Sequence, residues 1–231
     1  MKKLLIVLIA LLPGLAVAAG SNVPLQPANV DLNDQESLQR GFVLFQENCA
    51  GCHSTQYQRY DRVANDIGIP IDEMREKYMF TDAKVGDLME NAIPTKDAAN
   101  WFGAAPPDLT LVARVRGEDW LYSYLNGFYA DPTRPFGVNN TVFPLVGMPH
   151  VLQTIQGVPV MQDDGTIVAT GGTMNAEEYQ QATRDITAYL KYAGDPSQME
   201  RKQLGMWVLG FLFIFFVVAY LLKKEYWKDV H

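Results

Sequence analysis

Cys49-Ala50-Gly51-Cys52-His53 constrains this chain more than any other segment, because it holds both cysteines of the 231 residues and one of three histidines. A disulfide, structural or redox-active, would use the thiols and leave His53 without a role. A thioredoxin-like pair also expects a βαβ setting, which the sequence does not show. Zinc needs about four ligands, and only His150 and His231 remain to join the segment. Covalent haem uses all three residues. The thiols add across the two vinyl groups, and the adjacent imidazole reaches the iron from one side. We therefore expect one haem c per chain, bonded to Cys49 and Cys52, with His53 as an iron ligand.

The second axial position is taken by another residue or left open. Away from the two apolar ends, the candidates are Met74, Met79, Met89, Met148, Met161, Met174, Met199 and His150. A lone methionine usually fills core space. Met148 differs because it sits in Pro144-Leu145-Val146-Gly147-Met148-Pro149, where prolines stiffen the backbone and glycine permits a tight turn. Histidine–methionine ligation favours ferrous iron and a raised potential. His150 is expected at the surface or hydrogen-bonded near the haem edge. An open sixth site would instead suit a haem sensor or peroxidase.

Both ends of the chain are apolar. Met1-Lys2-Lys3, the run Leu4 to Leu12, and Pro13-Gly14-Leu15-Ala16-Val17-Ala18 have the pattern of a cleaved export signal, so residues 1–18 are expected to be removed. Leu204 to Leu222 is a run of 19 residues without a charge. As a helix it reaches about 28 Å, close to the hydrocarbon thickness of a bilayer. Trp207, Tyr220, Tyr226 and Trp227 flank it as interfacial rings. The expected organisation is an exported haem domain over 19–200, a membrane helix over 201–223 in contact with lipid, and a cytoplasmic tail over 224–231. In a two-membrane bacterium this is an inner-membrane protein with a periplasmic domain. Lys223, Lys224 and Lys228 after the span, against Arg201 and Lys202 before it, favour a cytoplasmic C-terminus by a small margin. The net charge of −7 argues against nucleic acid and suits a basic protein partner. Asp61 to Asp97 holds nine acidic and five basic residues, and serves equally well as a solvated surface.

Within the domain, Asn33 and Glu36 read as a capping pair for a helix running to about Glu47, with Leu38, Phe42 and Phe45 on its apolar face. Gly41 leaves room for a second helix to approach. Met174 to Tyr192 reads as another helix, capped by Thr173 or Asn175, with Tyr179, Ala182, Ile186, Tyr189 and Leu190 as its stripe and Gly194 just past its end. Glu118 to Phe128 is a third, with Trp120, Leu121, Tyr124, Leu125 and Phe128 at helical spacing. Val158 to Val168 reads as a hairpin about Asp164-Gly165. Loops are expected over Ala92 to Pro107 and Asp131 to Pro149.

An ordered set of segments gives the chain a family likeness. Arg40-Gly41-Phe42 leads into Cys49 to Ser54, then to Tyr57 and Tyr60. Ala98-Ala99-Asn100, Pro106-Pro107-Asp108-Leu109, Arg114-Val115-Arg116, Gly117-Glu118-Asp119, Gly147-Met148-Pro149 and Asp164-Gly165-Thr166 follow, and one span closes the chain. In these features it resembles the cytochrome c1 family, the haem-bearing subunits of cytochrome bc1 complexes. The resemblance implies a mainly α, expanded class I cytochrome c-like haem domain with a small β-hairpin, plus one C-terminal transmembrane helix. It also implies His53 and Met148 as axial ligands, Arg116 or Arg114 paired with a haem propionate, and Pro107 packed near the haem. The partners implied are a cytochrome b subunit, a Rieske iron–sulfur protein and a soluble c-type cytochrome, within a dimeric quinol–cytochrome c oxidoreductase. The chain itself would carry electrons and break no substrate bond. A different anchored monohaem carrier is the rival reading. A supporting disulfide found in some relatives has no counterpart in a chain with two cysteines, so loop packing must brace the methionine side.

Overall fold

The computed structural model describes residues 23–80 and 82–228. The expected export signal, residues 1–18, lies outside the described residues. In chain order the elements are α1 (Gln35–Asn48), β1 (Thr55–Arg59), α2 (Tyr60–Ile67), α3 (Ile71–Glu73), a π-type turn (Met74–Tyr78), β2 (Leu88–Met89), α4 (Thr95–Phe102), α5 (Val112–Arg116) and α6 (Glu118–Asn126). They continue with β3 (Phe128–Ala130), β4 (Val138–Asn140), α7 (Gln153–Gln156), β5 (Gly157–Met161), β6 (Ile167–Gly171), α8 (Ala176–Gly194) and α9 (Gln198–Tyr226). The fold is mainly α, and its strands form three antiparallel pairs, β1–β2, β3–β4 and β5–β6.

The α1–α8 crossing organises the domain. A side chain at Gly41 would place its Cβ 1.9 Å from the Asp185 carbonyl oxygen, so only glycine lets the two backbones come this close. Beside the crossing, the buried Asp185 carboxylate accepts from Ser37 Oγ at 2.6 Å, Arg40 Nε at 2.7 Å and Gln181 Nε2 at 2.8 Å. A carboxylate without such partners would make burial costly. Above it, Tyr189 meets Phe42 and Phe45 with ring centroids 5.4 and 5.3 Å apart. The apolar stripes expected on both helices are buried here.

The helix ends refine the sequence reading. Asp34, not Asn33, caps α1 by accepting from Ser37 N at 3.0 Å. Asn33 is occupied with the Asp31 carboxylate, one residue too early to reach the first turn. Asn175 caps α8 in a reciprocal box with Glu178, and Gly194 is the last helical residue of α8, with Asp195 as its C-cap. Helix α6 stops at Asn126, and Phe128 opens β3. The two expected loops are not wholly irregular, since α4 occupies part of the first and β4 part of the second. The hairpin turns as expected around Asp164-Gly165, where Gly165 has φ +84°.

After the short link Asp195–Ser197, α9 runs for 29 residues, and its apolar side chains are exposed along the whole length. Among the described residues it is the one helix long and apolar enough to cross a membrane. It is three residues longer at each end than the expected span, so Lys224 to Tyr226 are helical. Asp195 holds its first turns by accepting from Arg201 Nη1 at 2.8 Å and Nη2 at 2.5 Å.

Candidate haem site

The cysteine segment is the turn that ends α1. Cys49 N–H donates to Phe45 O at 2.8 Å, and the Cys49 carbonyl then accepts from Cys52 N at 3.0 Å and His53 N at 2.9 Å. This tight fold gathers the two thiols and the imidazole at one end of the helix. The thiols are not joined to each other. Cys49 is buried, and desolvation, helped by Cys52, pushes its thiol up to about 12. A redox nucleophile needs the opposite, a depressed value and an exposed sulfur. Among the described residues, no three His, Cys, Asp or Glu side chains converge as a metal cluster would require.

His53 is fixed by the segment that follows α4. Its Nδ1 lies 2.7 Å from the Pro107 carbonyl oxygen. That oxygen can only accept, so Nδ1 carries the proton and Nε2 keeps a free lone pair. Burial lowers the imidazole's proton affinity, partly offset by the bond to Pro107 and by Asp108, which favours the neutral form a metal binds. Pro107 is itself held in place. Leu109 N donates to Ser54 O at 2.9 Å, and Asp108 accepts from Gln56 N at 2.8 Å and Thr110 N at 3.0 Å. From the other direction, Asn91 donates through Nδ2 to Cys52 O at 2.8 Å, while its N–H bonds Ser54 Oγ at 2.9 Å. Asp108 and Asn91 carry no sequence signal for this role; their bonds join segments far apart in the chain.

Met148 lies in the second of the expected loops, and that loop is stiff. Asn139 Oδ1 accepts from Asn140 N and from Leu145 N at 2.9 and 2.8 Å. The fully buried Asn140 accepts from Val142 N and Phe143 N at 2.9 and 3.1 Å, and donates to Tyr124 O at 2.8 Å. Leu145 is left-handed at φ +62°, a strained conformation for a branched side chain. Arg134 Nη2 bonds its carbonyl at 3.0 Å from the other side. Met148 packs on a small cluster of Phe128, Val138 and Val146, and its sulfur accepts from Tyr124 Oη at 3.4 Å. By contrast Met74 and Met89 are buried in the main core with Phe42 and Ile67, where methionine serves as filling. Tyr124 packs against both clusters, the one containing Cys49 and the one touching Met148.

His150 departs from expectation. It is not a surface residue: its ring is buried and stacked on Phe128, centroids 4.9 Å apart. Among the described residues its Nε2 has no partner of good hydrogen-bond geometry, and burial, partly offset by the nearby Gln156 side chain, pushes the imidazole down to about 4. The two arginines also separate. Arg116 lies 5.1 Å over the Trp120 ring, which stacks on Tyr124 at 5.1 Å, so it belongs to the row of side chains ending at Met148. Arg114 instead forms an ion pair with Asp195 at 3.7 Å.

These residues fit a haem. Two unlinked thiols precede an imidazole with an uncommitted Nε2, a thioether sits on a braced loop, and Arg116 has no carboxylate partner among the described residues. Comparison with known proteins points the same way. The model of the Cytochrome C1 family matches residues 28–230. A cytochrome c1 from Allochromatium vinosum is 50% identical, with both chains covered in full. An ammonia monooxygenase gamma subunit from Nitrosomonas europaea is 46% identical over all of this chain and 99% of its own. A mitochondrial cytochrome c1 heme protein from Neurospora crassa is 28% identical over 84% of this chain and 62% of its own.

Proposed function

Because this chain belongs to the cytochrome c1 family, we propose that it is the electron-carrying subunit of a cytochrome bc1 complex. In this reading it passes single electrons from a Rieske iron–sulfur protein to a soluble c-type cytochrome. Members of the family bind haem c covalently, and the haem supplies the one-electron couple. Cys49 and Cys52 would tether it, His53 Nε2 and Met148 Sδ would bind its iron, and Arg116 would pair with a propionate. Arg114, already paired with Asp195, is the weaker candidate for that last role. Pro107 acts through its carbonyl, which keeps the His53 ring in one tautomer.

The observation that carries this reading is the turn at the end of α1. It presents two unlinked thiols beside an imidazole whose Nδ1 is committed to Pro107. The chain's part is to bury the couple, exclude water and set the potential. Quinol oxidation belongs to the assembled complex. Helix α9 anchors the chain beside a cytochrome b subunit, with the haem domain in the periplasm and the C-terminus in the cytoplasm, in line with Lys223 and Lys224 in the last helical turn.

Isolation of the detergent-solubilised assembly tests this. Cytochrome b, an iron–sulfur protein and one haem c per chain should co-purify. Loss of both partners from an intact preparation would remove the assignment. Carbon monoxide should leave the reduced spectrum unchanged; rapid binding would indicate an open site and a sensor or peroxidase. The Nitrosomonas relative motivates a second reading, a subunit of an oxygenase complex. Ammonia oxidation by the purified assembly would favour it.

A further inference from the structure

Residues 116, 120, 124 and 128 recur at intervals of four and build one continuous column. Arg116 covers Trp120 at 5.1 Å, and Trp120 stacks on Tyr124 with planes 11° apart. Tyr124 meets Phe128 edge-on at 5.2 Å, and Phe128 stacks on His150 at 4.9 Å. The Tyr124 ring is therefore gripped between Trp120 and Phe128, which fixes where its hydroxyl points. Among the described residues that hydroxyl has one hydrogen-bond partner, the Met148 sulfur, at 3.4 Å. The backbone beneath it is fixed too, because the Tyr124 carbonyl accepts from Asn140 Nδ2 at 2.8 Å. Column and methionine loop are thus joined twice at this residue.

We infer that Tyr124 is a positioning residue that orients the Met148 sulfur and, through it, raises the reduction potential. The inference rests on the reading of Met148 as an axial ligand. A thioether sulfur has two lone pairs. One binds the metal and the other is free to accept the Tyr124 O–H, so ligation and hydrogen bond are compatible. The bond draws electron density from the sulfur and weakens its donation. Weaker donation disfavours the electron-poor oxidised state more than the reduced one, so the couple shifts towards reduction.

The test uses the full-length chain in its membrane complex, with Tyr124→Phe and with 3-fluorotyrosine at position 124. Phenylalanine keeps the ring in the column and removes only the donor. The reduced-to-oxidised ratio at a fixed poise should fall about threefold, which is about 28 mV at 59 mV per tenfold for one electron. The fluorinated ring is a stronger donor of similar shape and should shift the potential the opposite way. Opposite shifts, with the weak far-red sulfur-to-iron band of the oxidised protein retained, support the inference. An unchanged potential in Tyr124→Phe, or shifts of the same sign, overturns it. If Tyr124→Phe fails to assemble, the fluorotyrosine protein decides alone: a raised potential supports the role and an unchanged one refutes it. Met148→Ala separates the two claims. Persistence of the far-red band in that variant would show that another residue is the ligand, a failure of the ligand reading itself.

Discussion

The histidine side of the site hangs on helix packing, whereas the methionine side hangs on side-chain amides. His53 follows directly from α1, whose crossing with α8 fills the main core, and its turn is closed by main-chain bonds from Cys49. Met148 comes at the end of a loop whose backbone N–H groups are satisfied by Asn139 and Asn140, over a cluster of three buried apolar residues. The first arrangement is stable by virtue of buried area. The second depends on a few directional bonds, so the methionine side is expected to yield first when the protein is stressed.

Four substitutions probe that contrast. The largest effect is expected at Gly41→Leu, which drives a side chain into the Asp185 carbonyl. It should destabilise the whole domain by about 3 kcal/mol, seen as a lowered thermal midpoint with both sides of the site lost together. Met148→Ala should come next, lowering the potential by on the order of 0.1 V, a fraction of the roughly 0.8 V over which axial ligands act. Redox titration checks it, and an unchanged potential would show that another group binds the iron. Asn140→Ala should cost about 2 kcal/mol, since it strips a buried and a half-buried N–H group of their acceptor. Its mark should be local: carbon monoxide gains access while helical circular dichroism and haem attachment persist. If the helical signal collapses at the same denaturant concentration as ligation, the two sides are one cooperative unit and the contrast fails. Smallest is Asn91→Ala, at about 1 kcal/mol of stability with ligation intact, because the Cys52–His53 turn keeps its other bonds.

The same contrast explains what was legible in the sequence. Helices α1 and α8 announce themselves through spaced apolar residues, and Gly41 marked their approach, because each signal lies within a few residues of its effect. The haem motif is legible for the same reason. The caps were less so: Asp34 and Asn33 are both good capping residues, and only the competing Asp31 decides between them. Asn139 and Asn140 read as loop polarity, since their partners are fixed by the fold. Tyr124 read as one member of an apolar stripe; nothing local reveals that its hydroxyl ends on a sulfur 24 residues later. His150 was expected to be exposed or hydrogen-bonded, and the stack on Phe128 that buries it joins two elements separated in the chain.

The length of α9 has a mechanical consequence. Its 29 residues extend for about 44 Å, well beyond the ~30 Å of a bilayer's hydrocarbon. Gln198 to Gln203 precede the uncharged run and add a stalk of roughly 9 Å at 1.5 Å per residue. Arg201, clasped by Asp195, ties that stalk to the domain above it. As a membrane span, α9 would therefore carry the domain on a short braced post outside the hydrocarbon. The same Asp195 carboxylate also meets Arg114 of α5, so one side chain joins post and domain.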